Sequence, residues 1–125
     1  LSSGKNYGWP EITYGKNYSG TTITKYTHKE GMEQPVIHWT PSIAVCGIDF
    51  YDGEVFKNWK NNLLVSSLKF ENLYRLTIDN NKVTDQEIVY KAGSRIRDVE
   101  TGPEGFIYLA LENPGRIVRF IPLKD

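Results

Sequence analysis

The sequence has 125 residues, of which 39% are hydrophobic and 13% aromatic, so it is long enough to form one ordinary domain with a buried core. Fifteen basic residues balance fifteen acidic ones, which argues against a strongly basic surface for nucleic acid or an anionic membrane. A single cysteine, Cys46, excludes an internal disulfide and a cysteine-based zinc site, and no apolar run approaches the roughly 20 residues of a membrane span.

Residues 1–45 form a segment rich in Gly, Tyr, Thr, Pro and Asn, a composition that predicts long loops. After it, short β-branched or aromatic runs alternate with turn residues, which predicts an almost all-β chain. The predicted strands are Gly47–Tyr51, Leu63–Leu68, Leu73–Ile78, Lys82–Tyr90, Ile96–Val99, Phe106–Leu111 and Arg116–Pro122. One helical turn is predicted over Val55–Trp59.

The predicted strands repeat. The second and third strands align with the sixth and seventh at an offset of 43 residues, and the first aligns with the fifth at 49. A period in the forties, built of three or four meandering strands, is typical of β-propeller blades rather than of a sandwich. We therefore divide the sequence into a loop-rich segment (1–45), one blade (46–92) and three strands of a last blade (93–125). Two blades leave exposed sheet edges, so we expect a larger molecule that supplies the remaining blades.

Arg95 and Arg97 form a candidate anion site at the start of the fifth predicted strand. Alternate side chains of an extended chain leave on one face roughly 7 Å apart, so both arginines can reach one ligand while Ile96 packs behind them. That spacing suits a rigid molecule with several carboxylates. The alternative is that both arginines are solvated on an outer strand.

Four motifs occur in a fixed order: Gly4–Pro10, Asn17–Gly20, Asn62–Lys69 and Arg95–Val99. Together with Glu33–Val36 and Leu111–Gly115 they resemble the C-terminal part of soluble aldose sugar dehydrogenases that depend on pyrroloquinoline quinone (PQQ), the glucose/sorbosone dehydrogenase family. The resemblance covers essentially the whole sequence. It implies roughly the last two blades, with a preceding loop-rich segment, of a six-bladed β-propeller. It also implies a quinoprotein oxidoreductase that oxidises the C1 hydroxyl of aldose sugars by hydride transfer to PQQ and passes electrons to an external acceptor.

The resemblance implies a set of cofactor contacts: Tyr18, Ser67, Leu68, Lys69, Arg95, Ile96 and Arg97. PQQ is a planar ortho-quinone with three carboxylates, so it is expected to need cations in its plane and apolar or aromatic cover on its faces. Lys69 and the two arginines would supply the cations, and Ser67 is the more plausible hydrogen-bond donor of the Ser67–Leu68 pair. The alternatives are a solvated loop lysine at Lys69 and a tyrosine buried for packing at Tyr18.

The resemblance also implies a calcium ion, with Tyr7 at its site. Calcium takes about six to eight oxygen ligands, so this one residue cannot make the site alone. The family's catalytic base is a histidine of an earlier blade, so no catalytic residue is expected in this sequence. His28 and His38 are interpreted as surface or packing histidines. We expect the 125 residues to be inactive alone and the intact protein to work in the periplasm or outside the cell.

Two other functions remain open at this point. A propeller of the same lineage without redox activity would serve as a binding or interaction module. A lectin-like sheet would use Trp39 and Tyr18 as stacking platforms for sugar, but it would leave the arginine pair unexplained.

Overall fold

The structure is a computed structural model that describes residues 1–123, so residues 124 and 125 of the predicted third segment lie outside the described part. The chain divides into two units, Leu1–Ser42 and Ile43–Asp125. The all-β prediction is confirmed, because the described residues form two antiparallel sheets and one short 3-10 helix.

Leu1–Ser42 consists of turns and loops, as its composition predicts, with one isolated β-bridge between Lys16 and Thr22. Backbone hydrogen bonds between distant residues hold these loops together. For example, the Thr13 N–H donates to the Tyr26 carbonyl at 3.1 Å. The unit is therefore ordered by turn geometry rather than by a sheet.

Gly8 shows why one of these turns needs glycine. Its φ of +88° lies in the left-handed region, and its carbonyl accepts a hydrogen bond from the Ile12 N–H at 2.9 Å. A Cβ at this position would overlap the Ile12 side chain and lie 3.1 Å from the sulfur of Met32. The turn that follows Tyr7 thus packs too closely for any larger residue.

The second unit contains seven strands and the 3-10 helix. They are β1 (Val45–Phe50), the 3-10 helix (Lys57–Trp59), β2 (Leu63–Ser67), β3 (Asn72–Asp79), β4 (Lys82–Lys91), β5 (Ile96–Thr101), β6 (Ile107–Leu111) and β7 (Arg116–Phe120). The first sheet has the order β1-β2-β3-β4 and the second β5-β6-β7, with antiparallel neighbours throughout. Every predicted strand is present, and the predicted helical turn is the 3-10 helix.

The register of the two sheets corrects the predicted repeat. Leu63 pairs with Leu76 in the first sheet, so a uniform offset of 43 residues would pair Phe106 with Arg119 in the second, but Arg119 pairs with Tyr108. The uniform offset was wrong because short runs with little polar and apolar alternation can be aligned in more than one register. A slip of one residue exchanges the faces of such a strand.

The core of the second unit lies between the two sheets. It is formed by buried side chains from both: Tyr51, Leu64, Leu73, Ile96, Val99, Ile107, Leu109 and Leu111. Partly buried aromatic rings extend it, among them Tyr90 of β4, which meets Phe120 of β7 edge to face at 5.2 Å. Consecutive four- and three-stranded meanders that pack face to face are blades of a propeller.

Tyr51 joins the connections of the two sheets at the end where β1 and β5 finish. Its side chain is fully buried. The hydroxyl donates to the Gly105 carbonyl at 2.7 Å and accepts a hydrogen bond from the Phe56 N–H at 2.9 Å. The phenol therefore satisfies two backbone groups that belong to different sheets.

Replacing Tyr51 by phenylalanine should lower the free energy of unfolding by about 1–3 kcal/mol, because both backbone groups lose their partner inside the protein. Urea unfolding of the purified protein measures this cost. The matched control is Tyr108→Phe, whose hydroxyl binds the exposed Glu104 carboxylate and whose loss should cost less than about 0.5 kcal/mol. Equal costs for the two variants would contradict this role of Tyr51.

Candidate functional site

Ser67 forms the base of the turn that follows β2. Its side chain is fully buried. The hydroxyl donates to the Ile43 carbonyl at 2.7 Å and accepts a hydrogen bond from the Phe70 N–H at 3.1 Å. Because a hydroxyl has one proton, a hydrogen bond from Ser67 to a cofactor would require this proton to leave Ile43. In this structure Ser67 holds the turn that presents Lys69.

Lys69 leaves that turn with an exposed side chain. The backbone ahead of it is fixed, because the Leu68 N–H donates to the Ala44 carbonyl at 2.9 Å and the Lys69 N–H donates to the Ile43 carbonyl at 3.2 Å. The ammonium lies 5.5 Å from the centre of the Phe70 ring and makes no ion pair within residues 1–123. Lys69 is thus a well-anchored cation that is available to a ligand.

Arg95 lies just before β5, and Arg97 lies where the β5–β6 register shifts between Ile96 and Asp98. Ile96 is fully buried and pairs with Leu111, whereas Arg95 and Arg97 are exposed on either side of it. Arg97 is ion-paired with Glu112, whose Oε2 lies 2.6 Å from Nε and 2.5 Å from Nη2. Within the described residues the Arg95 side chain has no hydrogen-bond or ion-pair partner. The two arginines therefore differ in their surroundings, which the sequence pattern did not indicate.

Lys69 and the two arginines lie at the same end of the second unit. Two contacts show that β1 and β5 run side by side in the same direction. Near the ends of the strands, Asp49 accepts hydrogen bonds from the Thr101 N–H (2.8 Å) and hydroxyl (2.6 Å). Nearer their starts, a Cβ on Gly47 would lie only 3.0 Å from the Cα of Asp98. Since β2 ends beside the start of β1, the lysine emerges where β5 begins. We call this end, defined by Lys69, Arg95 and Arg97, the cation end.

Two further cations lie at the cation end, and the sequence analysis missed them. Lys91 is the last residue of β4 and Arg116 is the first residue of β7. The antiparallel strand order alone would have found them, because β4 ends and β7 begins where β2 and β6 end. With these two, five cations lie at this end of the unit, and Glu71 and Glu112 are the acidic residues beside them. This face of a neutral chain is therefore locally positive. A local positive field of this kind attracts a polyanion.

Tyr18 lies in the first unit, at the tip of a turn that begins at Asn17. The turn is closed by backbone hydrogen bonds from the Gly20 N–H to the Asn17 carbonyl (2.8 Å) and from the Asn17 N–H to the Thr21 carbonyl (3.0 Å). The Tyr18 ring is fully exposed, so the buried packing role that the sequence left open does not describe this side chain. Its contact with a cofactor stays a prediction.

Tyr7 also belongs to the first unit, and its ring is partly exposed. Its hydroxyl accepts a hydrogen bond from the Ser2 N–H at 2.9 Å. Within residues 1–123, no three His, Cys, Asp or Glu side chains are placed to hold a metal ion together. The described residues therefore do not make a complete calcium site, and the assignment of Tyr7 rests on the resemblance alone.

The first unit also has a cavity of about 370 Å³ that is lined by both aromatic and polar side chains. Tyr14 and His38 stack there with ring centres 3.7 Å apart, and the Tyr14 hydroxyl donates to Gln34 at 3.0 Å. Glu33 pairs with Lys5 at 3.0 Å, and this hydrogen bond and the charge of Glu33 raise the pKa of Lys5 above its usual value. The stacked position of His38 fits the packing role predicted for it.

Comparisons with known proteins identify relatives of this chain. The family model described as "Glucose / Sorbosone dehydrogenase" matches residues 1–119. The aldose sugar dehydrogenase YliI of Escherichia coli strain K12 is 42% identical over 123 residues, which are 95% of this chain and 33% of that protein. The chain spans 28% to 33% of the length of the curated relatives it matches.

Solved structures show the same fold. A crystal structure of a glucose dehydrogenase superposes with a TM-score of 0.89 at 38% identity, covering 97% of this chain and 36% of that one. The PQQ-bound aldose sugar dehydrogenase of Streptomyces coelicolor superposes with a TM-score of 0.64 at 23% identity, covering 93% of this chain and 33% of that one. Among residues 1–123 no helix is long and apolar enough to cross a membrane. The match over residues 1–119 shows that this chain belongs to the glucose/sorbosone dehydrogenase family.

Proposed function

We propose that these residues form about the C-terminal third of a quinoprotein oxidoreductase that oxidises the C1 hydroxyl of aldose sugars by hydride transfer to PQQ. The observation that carries the proposal is the cation end, where Lys69, Arg95 and Arg97 lie at one end of the second unit on a locally positive face. The names of the relatives support a sugar dehydrogenase, and the Streptomyces coelicolor protein binds PQQ on the same fold. In this proposal residues 46–92 form one blade and residues 93–125 three strands of the last.

The cation end fits a planar molecule with three carboxylates. The guanidinium of Arg95 would bind a PQQ carboxylate with two parallel hydrogen bonds, and Arg97 would bind another through its remaining N–H groups. The compact ammonium of Lys69 would face a quinone or carboxylate oxygen. Ser67 and Ile96 would hold the backbone beneath these cations, with Leu68 beside the ligand and Tyr18 contributed by the preceding segment. PQQ, when bound, supplies the two-electron acceptor chemistry.

The other parts of the reaction would come from outside these residues. We propose that a histidine of another blade acts as the base and that further blades complete the sugar pocket. An external acceptor would reoxidise the cofactor. Calcium, with Tyr7 as one ligand, and a periplasmic or extracellular location stay predictions from the resemblance.

The proposal is tested by reconstituting the full-length protein that contains these residues with PQQ and calcium and measuring dye-linked oxidation of aldoses. We expect no oxidation without PQQ and saturable oxidation with it. Sugar oxidation that is independent of PQQ would contradict the proposal. PQQ binding without oxidation of any aldose would instead support the non-catalytic binding module.

A further inference from the structure

Glu112 contacts both arginines of the cation end. Its backbone N–H donates to the Arg95 carbonyl at 2.9 Å, at the point where β6 ends beside the start of β5. Its carboxylate accepts a hydrogen bond from Nε of Arg97 at 2.6 Å, and the same Oε2 atom lies 2.5 Å from Nη2. One residue therefore fixes the backbone before Ile96 and the guanidinium after it.

The contact with Glu112 fixes the orientation of the Arg97 guanidinium. A guanidinium carries five N–H groups, and Glu112 occupies the edge formed by Nε and Nη2, so the Nη1 group remains for a ligand. The Glu112 side chain is 32% exposed and that of Arg97 48%, so the pair is partly shielded from water. A charge-assisted contact of this kind restrains a long side chain that would otherwise populate several rotamers.

We propose that Glu112 is a positioning residue that orients Arg97 for a carboxylate of PQQ. This inference rests on the proposed function. Arg95 has no side-chain hydrogen-bond or ion-pair partner within the described residues. It would therefore bind a PQQ carboxylate without being oriented by another side chain. The two arginines would therefore not be equivalent contacts, since Glu112 orients one guanidinium and not the other.

The inference is tested by a double-mutant cycle on PQQ affinity in the full-length apo protein, followed by quenching of tryptophan fluorescence. Glu112→Ala should weaken PQQ binding about tenfold, because Arg97 loses its restraint. In an Arg97→Ala background the same substitution should change the affinity less than about twofold. Glu112→Gln, which keeps an acceptor oxygen for Arg97, should retain the affinity within about threefold.

The matched control is the ion pair of Arg75 and Glu87 between β3 and β4, which has the same Nε to carboxylate distance of 2.6 Å. Glu87→Ala should leave PQQ affinity unchanged. If Glu112→Ala fails to fold in a thermal melt, Glu112→Asp replaces it in the cycle, since a shorter side chain withdraws the carboxylate from Arg97.

Two results would overturn the inference. One is a loss of affinity from the Glu112 substitution that is equally large with and without Arg97, which would show that Glu112 acts on the fold rather than through the arginine. The other is unchanged affinity in the single variant. If the wild-type protein binds no PQQ at all, the proposed function fails and this inference fails with it. If the wild-type protein binds PQQ but the effects of the Glu112 and Arg97 substitutions on affinity are additive, only the inference fails.

Discussion

Replacement of Arg95 by alanine should weaken PQQ binding to the full-length protein by about 2 kcal/mol, or roughly thirtyfold. Arg95 is exposed and its side chain makes no hydrogen bond or ion pair within residues 1–123, so its removal should cost little folding stability. The loss should appear in the ligand-binding free energy instead. It should also shrink as ionic strength rises, because an exposed charge is screened by salt.

A substitution elsewhere on the same sheet separates this effect from a change in total charge. Arg119 lies on β7 at the opposite end from Arg95, where its guanidinium is 5.0 Å from the centre of the Phe106 ring. Arg119→Ala removes one positive charge and should leave PQQ affinity within about twofold of wild type, since it lies away from the ligand. Equal losses in the two variants, or none in Arg95→Ala, would contradict a direct contact between Arg95 and the cofactor.

Replacement of Leu109 by alanine should lower the free energy of unfolding by about 2–5 kcal/mol. Leu109 is 1% exposed, in the core that the two sheets share, and it comes from the central strand of the second sheet. Truncation removes apolar contacts and leaves a cavity between two sheets that cannot collapse onto it without losing their register. Chemical denaturation of the full-length protein measures the change.

The control for the core is Val36→Ala, since Val36 is 64% exposed in the loop-rich unit and should cost less than about 1 kcal/mol. A second comparison uses Leu64, which reaches the same core from the first sheet. The costs of Val99→Ala and Leu64→Ala should be non-additive in the double variant, because both side chains belong to this core, their strands β5 and β2 contact each other, and neighbouring truncations share one cavity. Strict additivity would argue that the two sheets do not pack on each other as described.

The strands could be predicted because their signals are local. The runs around Leu63 and Phe106 are β-branched or aromatic and are bounded by turn residues, and both became strands. The register could not be predicted, since aligning short runs does not determine which residues pair across the strands. The observed pairing of Leu63 with Leu76 and of Tyr108 with Arg119 sets it.

The candidate site was predicted in part. The burial of Ile96 between two exposed arginines is what extended geometry predicts, but the register shift at Arg97 could not be predicted. The partner of Arg97 could not, because Glu112 is 15 residues away and meets it only through the β5–β6 pairing. The buried hydrogen bond of Ser67 to Ile43 is equally non-local, since it joins the end of β2 to the segment before β1. Contacts of this kind depend on the sheet being formed.

The most direct test of the account is a titration of PQQ into the full-length apo protein and into a variant that lacks all three cations, Lys69→Ala, Arg95→Ala and Arg97→Ala. We expect the wild-type protein to saturate at equal amounts of PQQ and chain. The triple variant should keep its thermal melt, because all three side chains are exposed, but show no saturable binding. Undiminished PQQ binding by a folded triple variant would contradict the claim that the cation end holds the cofactor.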